Sequence, residues 1–394
     1  MRILISGASV AGPLAAYWLA RRGHAVTVVE KAPELRKAGG HAVDLFRPAL
    51  EIARRMGVYD RITARRTGVE LLSFRRPGDT RPARIRVGAL TARAAGDHVE
   101  IMRDNLSEIL YEAGRDHVEY VFGDSIAAID DRVVTFENGP AREFDLVIGA
   151  DGLHSNVRRL AFGPESDYAT WIGAYLAVLT VTDHPGPSGR VDGVVAVDRM
   201  AMIYHDHTNT RGFFMFRTPA PLDYHHRDVP RQQTLLKEHF DDLGGEAAWL
   251  LDRLGDTPAF YFDSVTQLRM DTWSKGRVTL VGDAGYCPGP AVGGSTSLAM
   301  VGAYVLAGEL ARFSDHGHAF ASYERELADY VQKSRAFAIG AARRLVPGNE
   351  RALRTLMYGT RLLNRLPTPA VRLLTASSVG LRVHTSFRLR DYPG

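Results

Sequence analysis

The sequence predicts an α/β chain in which a parallel, helix-flanked sheet is interleaved with an antiparallel sheet and followed by a helical C-terminal segment. Three observations predict it. An apolar strand, a glycine-bearing turn, a helix and a second strand follow one another within residues 3–30. Short apolar strands ending in Gly and Asp recur at 145–152 and 277–283. Between those two lies a block of β-branched and aromatic runs parted by Gly, Pro and Asp.

The N-terminal unit comes first. Ile3, Leu4 and Ile5 form a buried strand, Gly7 to Gly12 the turn, residues 13–22 a helix with Pro13 in its first turn, and Val26 to Val29 a strand ending on Glu30. The acid stands 23 residues after the first glycine, near the roughly 20 of a Rossmann-type dinucleotide site. The residue types suit that chemistry. Gly7 allows a sharp turn. Ser9, Val10, Ala11 and Gly12 bring backbone N–H groups to a pyrophosphate at a helix N-terminus, and Glu30, followed by Lys31, accepts from ribose hydroxyls. Ser9 replaces the middle glycine of the fingerprint and is small enough to keep the phosphate contact.

The later strands repeat the plan. Leu146, Val147 and Ile148 run into Gly149-Ala150-Asp151-Gly152, with Ser155 and Arg158 beyond. Val278 to Val281 run into Gly282-Asp283. A carboxylate at the C-terminal end of a parallel strand sits where ligands bind in open α/β sheets. The intervening runs "GAYLAVLTV", "GVVAVDR", "AMIYHD", "RGFFMFRT" and "FYFDSVTQLRMDTW" read as antiparallel strands, and residues 229–254 as one helix. A short insertion at 69–96 joins the same sheet. The expected division is 1–68, 97–168 and 268–330 for the nucleotide-binding part, 69–96 and 169–267 for the antiparallel sheet, and 331–394 for the helical segment. In that segment Leu353, Leu356, Met357, Thr360 and Leu363 recur at helical spacing, a stripe read as packing on its own protein, and Pro367 and Pro369 stop the helix.

Composition removes other classes. A net charge of +4 over 394 residues, with arginines spread along the chain, is no nucleic-acid footprint. One cysteine, Cys287, excludes internal disulfides and cysteine-built metal clusters. It reads as a packing residue, and no metal is expected. His205, His207, His225 and His226 lack a supporting carboxylate pattern and read as solvated. The apolar run at 3–20 is interrupted by Gly7, Gly12 and Pro13 and passes straight into a second strand, so a cytoplasmic protein with no stable membrane insertion is expected.

In this order and spacing the glycine turn, the Asp151-Gly152 motif and the Gly282-Asp283 motif resemble the para-hydroxybenzoate hydroxylase family of single-component (group A) flavin monooxygenases, along the whole chain. The resemblance implies a Rossmann-like FAD-binding domain of glutathione-reductase type beside an antiparallel β-sheet substrate domain. It implies non-covalent FAD, NADPH or NADH as reductant, and dioxygen passed through a flavin C(4a)-hydroperoxide to an electron-rich ring. By that resemblance Asp283 holds FAD hydroxyls, Asp151 is chiefly structural near the pyrophosphate and the nicotinamide path, Arg103 reaches FAD from a helix start, and Arg47 follows the segment covering the flavin. Pro290, Gly293, Gly294, Ser295 and Thr296 form the loop and helix start beside the flavin ring, with Pro290, Gly293 and Gly294 nearest the chemistry. No protein nucleophile is implied. Ser295 and Tyr286 depart from the family's usual Gly and His. Tyr204, Phe214, Phe216, Gln267 and Met270 are candidate substrate contacts, and Arg269 pairs with substrate or with Asp271. Small residues at Gly289, Ala291 and Val292 point to a roomy pocket for an aromatic or polycyclic molecule. A flavin-dependent reductase of the geranylgeranyl type, or a pocket enzyme that keeps FAD as scaffold, are the alternatives. Oligomeric state has no signal in the sequence.

Overall fold

The computed structural model describes residues 1–35, 39–86, 98–182, 187–205, 210–290, 294–364 and 383–392. The three motif strands become neighbours. A six-stranded sheet runs in the order Ser274–Lys275, Val278–Leu280, Leu146–Gly149, Arg2–Ser6, Ala25–Glu30, Glu119–Phe122, parallel except for its first, two-residue strand. Ile3 pairs with Leu146 on one side and Val26 on the other. Strands flanked this way bury both faces, which is why they read as continuous apolar runs. Because they are parallel, Ser6, Gly149 and Leu280 end at one sheet edge, and the three loops that follow meet there. No helix among the described residues is long and apolar enough to cross a membrane.

A seven-stranded sheet runs Phe260–Leu268, Ala169–Val181, Thr210–Arg217, Arg199–His205, Arg190–Ala196, Leu71–Arg75, Ala83–Arg86. The 69–96 insertion supplies its last two strands. Residues 87–97 lie outside the described residues. One face, with Tyr175, Leu179, Phe214 and Phe216, packs on Leu235, Leu236 and Phe240. The other, with Leu176, Val178 and Met215, packs on Ala338, Ala341, Leu353 and Met357 of the C-terminal helices.

Two expectations are corrected. The helix over 229–254 is two helices, Val229–Phe240 and Gly245–Leu251. Gly244 and Gly245 both adopt positive φ (63° and 56°), a backbone that ends a right-handed helix. The boundary at 331 falls inside one unbroken helix, His316–Leu345, which runs from the nucleotide-binding part to the antiparallel sheet. In the following helix, Glu350–Leu363, Leu353 and Met357 are buried on the sheet while Leu356 is exposed. Pro367 and Pro369 lie outside the described residues.

Candidate functional site

Glycine is obligatory at two points of the first turn. Gly7 has φ +104°, and a Cβ there would lie 2.6 Å from the Ala150 carbonyl oxygen. A Cβ on Gly12 would lie 1.9 Å from the carbonyl oxygen of Gly7. The Ser9 position is free of such a clash, which explains how serine replaces the middle glycine. Its hydroxyl accepts from Arg103 Nε at 3.3 Å. Val10, Ala11 and Gly12 are buried in the helix start behind the turn. Glu30 accepts from the backbone N–H groups of Ala8 and Ala32, both at 2.9 Å, so it holds the turn while facing the same opening.

Gly7, Ser9, Glu30, Lys31, Arg103 and Asp151 line a single cleft of about 1090 Å³. That exceeds the roughly 300–1,000 Å³ that suits drug-sized ligands and fits a dinucleotide laid lengthwise. Lys31 stands exposed at its rim, and Arg47 is exposed outside it at the first position of helix Arg47–Arg55. Asp151 is committed to structure. Its carboxylate accepts from Ser155 Oγ at 2.5 Å and from the N–H groups of Asn156 and Val157 at 2.9 and 3.1 Å, which fixes the start of helix Asn156–Ala161.

Asp283 differs. Its Oδ1 is buried with no hydrogen-bond partner among the described residues. Removal from water raises its pKa, and only the nearby Arg103 charge and the Cys287 thiol oppose this. A buried carboxylate oxygen without a donor is costly unless a donor arrives. A polyol hydroxyl of a bound cofactor supplies one. The glycine cradle and this orphaned oxygen both fit FAD. Beyond Asp283, buried Pro290 leads toward Gly294 (φ +79°), then Ser295 and Thr296, the start of helix Ser295–Arg312. Ala291, Val292 and Gly293 lie outside the described residues.

The substrate candidates separate. Gln267 is buried and its Nε2 donates to the carbonyls of Pro288 (2.9 Å) and Arg335 (2.8 Å), tying the loop after Asp283 to the long helix. Arg269 donates to Gln267 Oε1 at 3.3 Å. Tyr204 is half-buried, its hydroxyl pKa raised by desolvation and then by the Glu100 and Asp44 carboxylates. Phe214 and Phe216 point the other way, into the core beneath Phe240. Phe213 and Met215 occupy the face that carries Tyr204. Met270 belongs to the core of the nucleotide-binding part, with Trp273. Of the histidines expected to be solvated, His205 is buried because its strand turns it inward, and His207 lies outside the described residues.

Sequence reasoning missed the far end of the cleft. His154 lies between Glu165 (Nδ1, 3.0 Å) and Asp263 (Nε2, 3.0 Å) and stacks on His226, centroids 4.6 Å apart. Burial lowers its pKa, but the bonds and charges of Asp263 and Glu165 prevail and lift it to about 10. A histidine raised in the folded state above its unfolded value of 6.5 adds stability that is complete below that value and is lost as pH rises through about 10. Unfolding free energy is therefore expected to fall between pH 6.5 and 10, and urea melts of His154→Gln should show a flatter decline over that window. No local pattern in the sequence marks this contact, because Asp263 is distant from His154 along the chain.

A chain with this cradle, this orphaned acid and a substrate sheet laid beside them is a flavoprotein of the FAD-binding type. The family model described as "FAD binding domain" matches residues 1–344. A flavin-dependent monooxygenase of Legionella longbeachae serogroup 1 (strain NSW150) is 38% identical over 346 residues, covering 86% of this chain and 88% of that protein. The crystal structure of tetracycline destructase Tet(51) superposes with a TM-score of 0.82 at 31% identity, covering 99% of both chains. Klebsiella pneumoniae HpxO, complexed with FAD and uric acid, shares the fold, with a TM-score of 0.73 at 20% identity over 96% of each chain. The chain belongs to the FAD-binding-domain family, and within it to the para-hydroxybenzoate hydroxylase-like, single-component FAD-dependent monooxygenases.

Proposed function

We propose that this enzyme is a cytoplasmic, NAD(P)H-dependent hydroxylase of acidic polycyclic phenols or enols, and that the residues assembled above carry it. Bound FAD supplies the redox and oxygen chemistry, drawing electrons from NAD(P)H and passing one atom of dioxygen to the substrate. The protein's residues bind, orient and keep the site dry. Ser9 and Arg103 would hold its phosphates, Glu30 and Asp283 its hydroxyls, and the N–H groups at the start of helix Ser295–Arg312, behind Gly294, would stabilise negative charge on its reduced ring. The cleft continues past Asp151 to His154, Arg159, Glu165, His226 and Arg227, where the two arginines suit the phosphates of NAD(P)H.

The observation that carries the substrate class is Arg335. Its Nε and Nη2 are buried with no hydrogen-bond partner among the described residues. Burial first, then the Arg269 charge, lower its pKa to about 10. Two guanidiniums beside Gln267 and the loop at Pro288 call for an anion, and an ionised phenol or enolate answers that need. The likeness to tetracycline destructases Tet(51) and Tet(55), at 31% and 33% identity, supports a polycyclic ligand of that chemistry. Substrate-stimulated NAD(P)H oxidation across a panel of phenols tests this. Acidic polycycles should stimulate turnover, and Arg335→Met should raise their KM about tenfold or more, as the loss of a charge-assisted hydrogen bond implies. Equal KM in wild type and variant for every active compound would reject Arg335 as the anion contact.

A further inference from the structure

His384 stands apart from the other buried histidines. Its side chain lies between two rings, stacked on Phe46 (centroids 4.6 Å, interplanar angle 14°) and edge-on to Phe337 (5.1 Å, 88°). It is 1% exposed. Neither ring nitrogen has a hydrogen-bond partner among the described residues, although any neutral imidazole carries one N–H donor and one acceptor. Leaving both unmet in the interior is costly.

The position of the ring gives the reason. A Cβ on Gly294 would lie 2.4 Å from His384 Nδ1, so the imidazole rests directly against the residue that precedes Ser295. The helix beginning there is 18 residues long and has no side-chain cap, so its first N–H groups remain available to an anion. Ser297 Oγ is occupied by Asp44 O and Phe46 N, both at 3.0 Å. Burial pushes the His384 pKa down to about 4, and Asp44, from the strand Ala42–Phe46, is the charge that opposes it. From the long helix, the Tyr330 hydroxyl reaches only the backbone carbonyl of His384. A helix start without a side-chain cap and an imidazole without a partner among the described residues thus share one spot.

We propose that His384 is a positioning and charge-compensating residue for the FAD ring: its imidazole bonds the end of the ring held at the start of helix Ser295–Arg312, and gains one proton when that end becomes anionic. This rests on the reading that FAD lies along the cleft with its ring at this helix. The balance is simple. The ring gains two electrons and one proton from NAD(P)H, and the imidazole takes a second proton from solvent, so the couple becomes two-electron, two-proton.

The test is a spectroelectrochemical titration of the FAD-loaded enzyme across about pH 7 to 8, where the reduced ring itself stays anionic, comparing wild type with His384→Gln and His384→Phe. Wild type should take up two protons per two electrons, and each variant one. The difference is a tenfold change in the reduction equilibrium per pH unit, about 30 mV for a two-electron couple. Gln keeps a donor and should hold FAD nearly as tightly as wild type. Phe keeps the ring packing without a donor and should bind FAD about tenfold more weakly. A wild-type slope of one proton per two electrons overturns the proposal whether or not the variants fold, and so does an unchanged slope in either folded variant. Failure to load FAD at all would instead reject the cofactor reading on which this inference stands.

Discussion

Asp283→Ala is expected to weaken FAD binding by about ten- to a hundredfold, the loss of roughly 1.5–3 kcal/mol of charge-assisted hydrogen bonding. The orphaned Oδ1 adds a second expectation that separates a ligand role from a structural one. Without FAD that oxygen is buried without a donor among the described residues, so truncating the side chain relieves a desolvated charge and forgoes only the Arg103 charge and the Cys287 thiol. Apo Asp283→Ala should therefore melt at or above the temperature of apo wild type, while FAD raises its melting temperature less. Equal FAD affinity in the two proteins, measured by fluorescence titration of the apoproteins, would remove Asp283 from the site.

Arg158→Leu is expected to destabilise the protein by about 3–5 kcal/mol. The Arg158 side chain is 1% exposed. Its Nη1 donates to Ala284 O at 2.8 Å, and its Nη2 to Leu153 O at 2.6 Å and Glu165 Oε2 at 2.7 Å. One guanidinium thereby binds the loop after Asp151 to the turn that carries Asp283. Leucine leaves two carbonyls without this donor and strips the arginine charge from Glu165. Urea unfolding of the apoprotein measures the cost. A loss below about 1 kcal/mol would show that water or repacking satisfies these groups.

The chain shows where sequence is legible. The strands Arg2–Ser6 and Leu146–Gly149 stand out because they are buried almost throughout and run into glycine. Gly7 and Gly12 announce themselves because close backbone approach admits nothing larger. The phase of the sheet strands is another matter. In "RGFFMFRT" both faces are apolar, so alternation is invisible. The helices decide it by covering Phe214 and Phe216 on one side while Ala338 and Met357 cover Met215 on the other. The expected boundary at 331 failed because no Pro or Gly breaks the helix there. Contacts between distant segments carry no local signal at all. Arg211 meets Asp104 at 2.8 Å, both buried, and His384 meets Gly294, only after the chain has folded.

The most direct test of the central claim is isotopic. A polycyclic phenol that stabilises the FAD-loaded protein in a thermal-shift screen is turned over with NADPH or NADH under oxygen-18 gas, and the product is examined by mass spectrometry. Oxygen transfer predicts one labelled atom in the product for each NAD(P)H consumed at full coupling, with Arg335→Met reducing its yield. A bound ligand that returns unlabelled and unchanged, with all the reducing equivalents recovered as hydrogen peroxide, would contradict it.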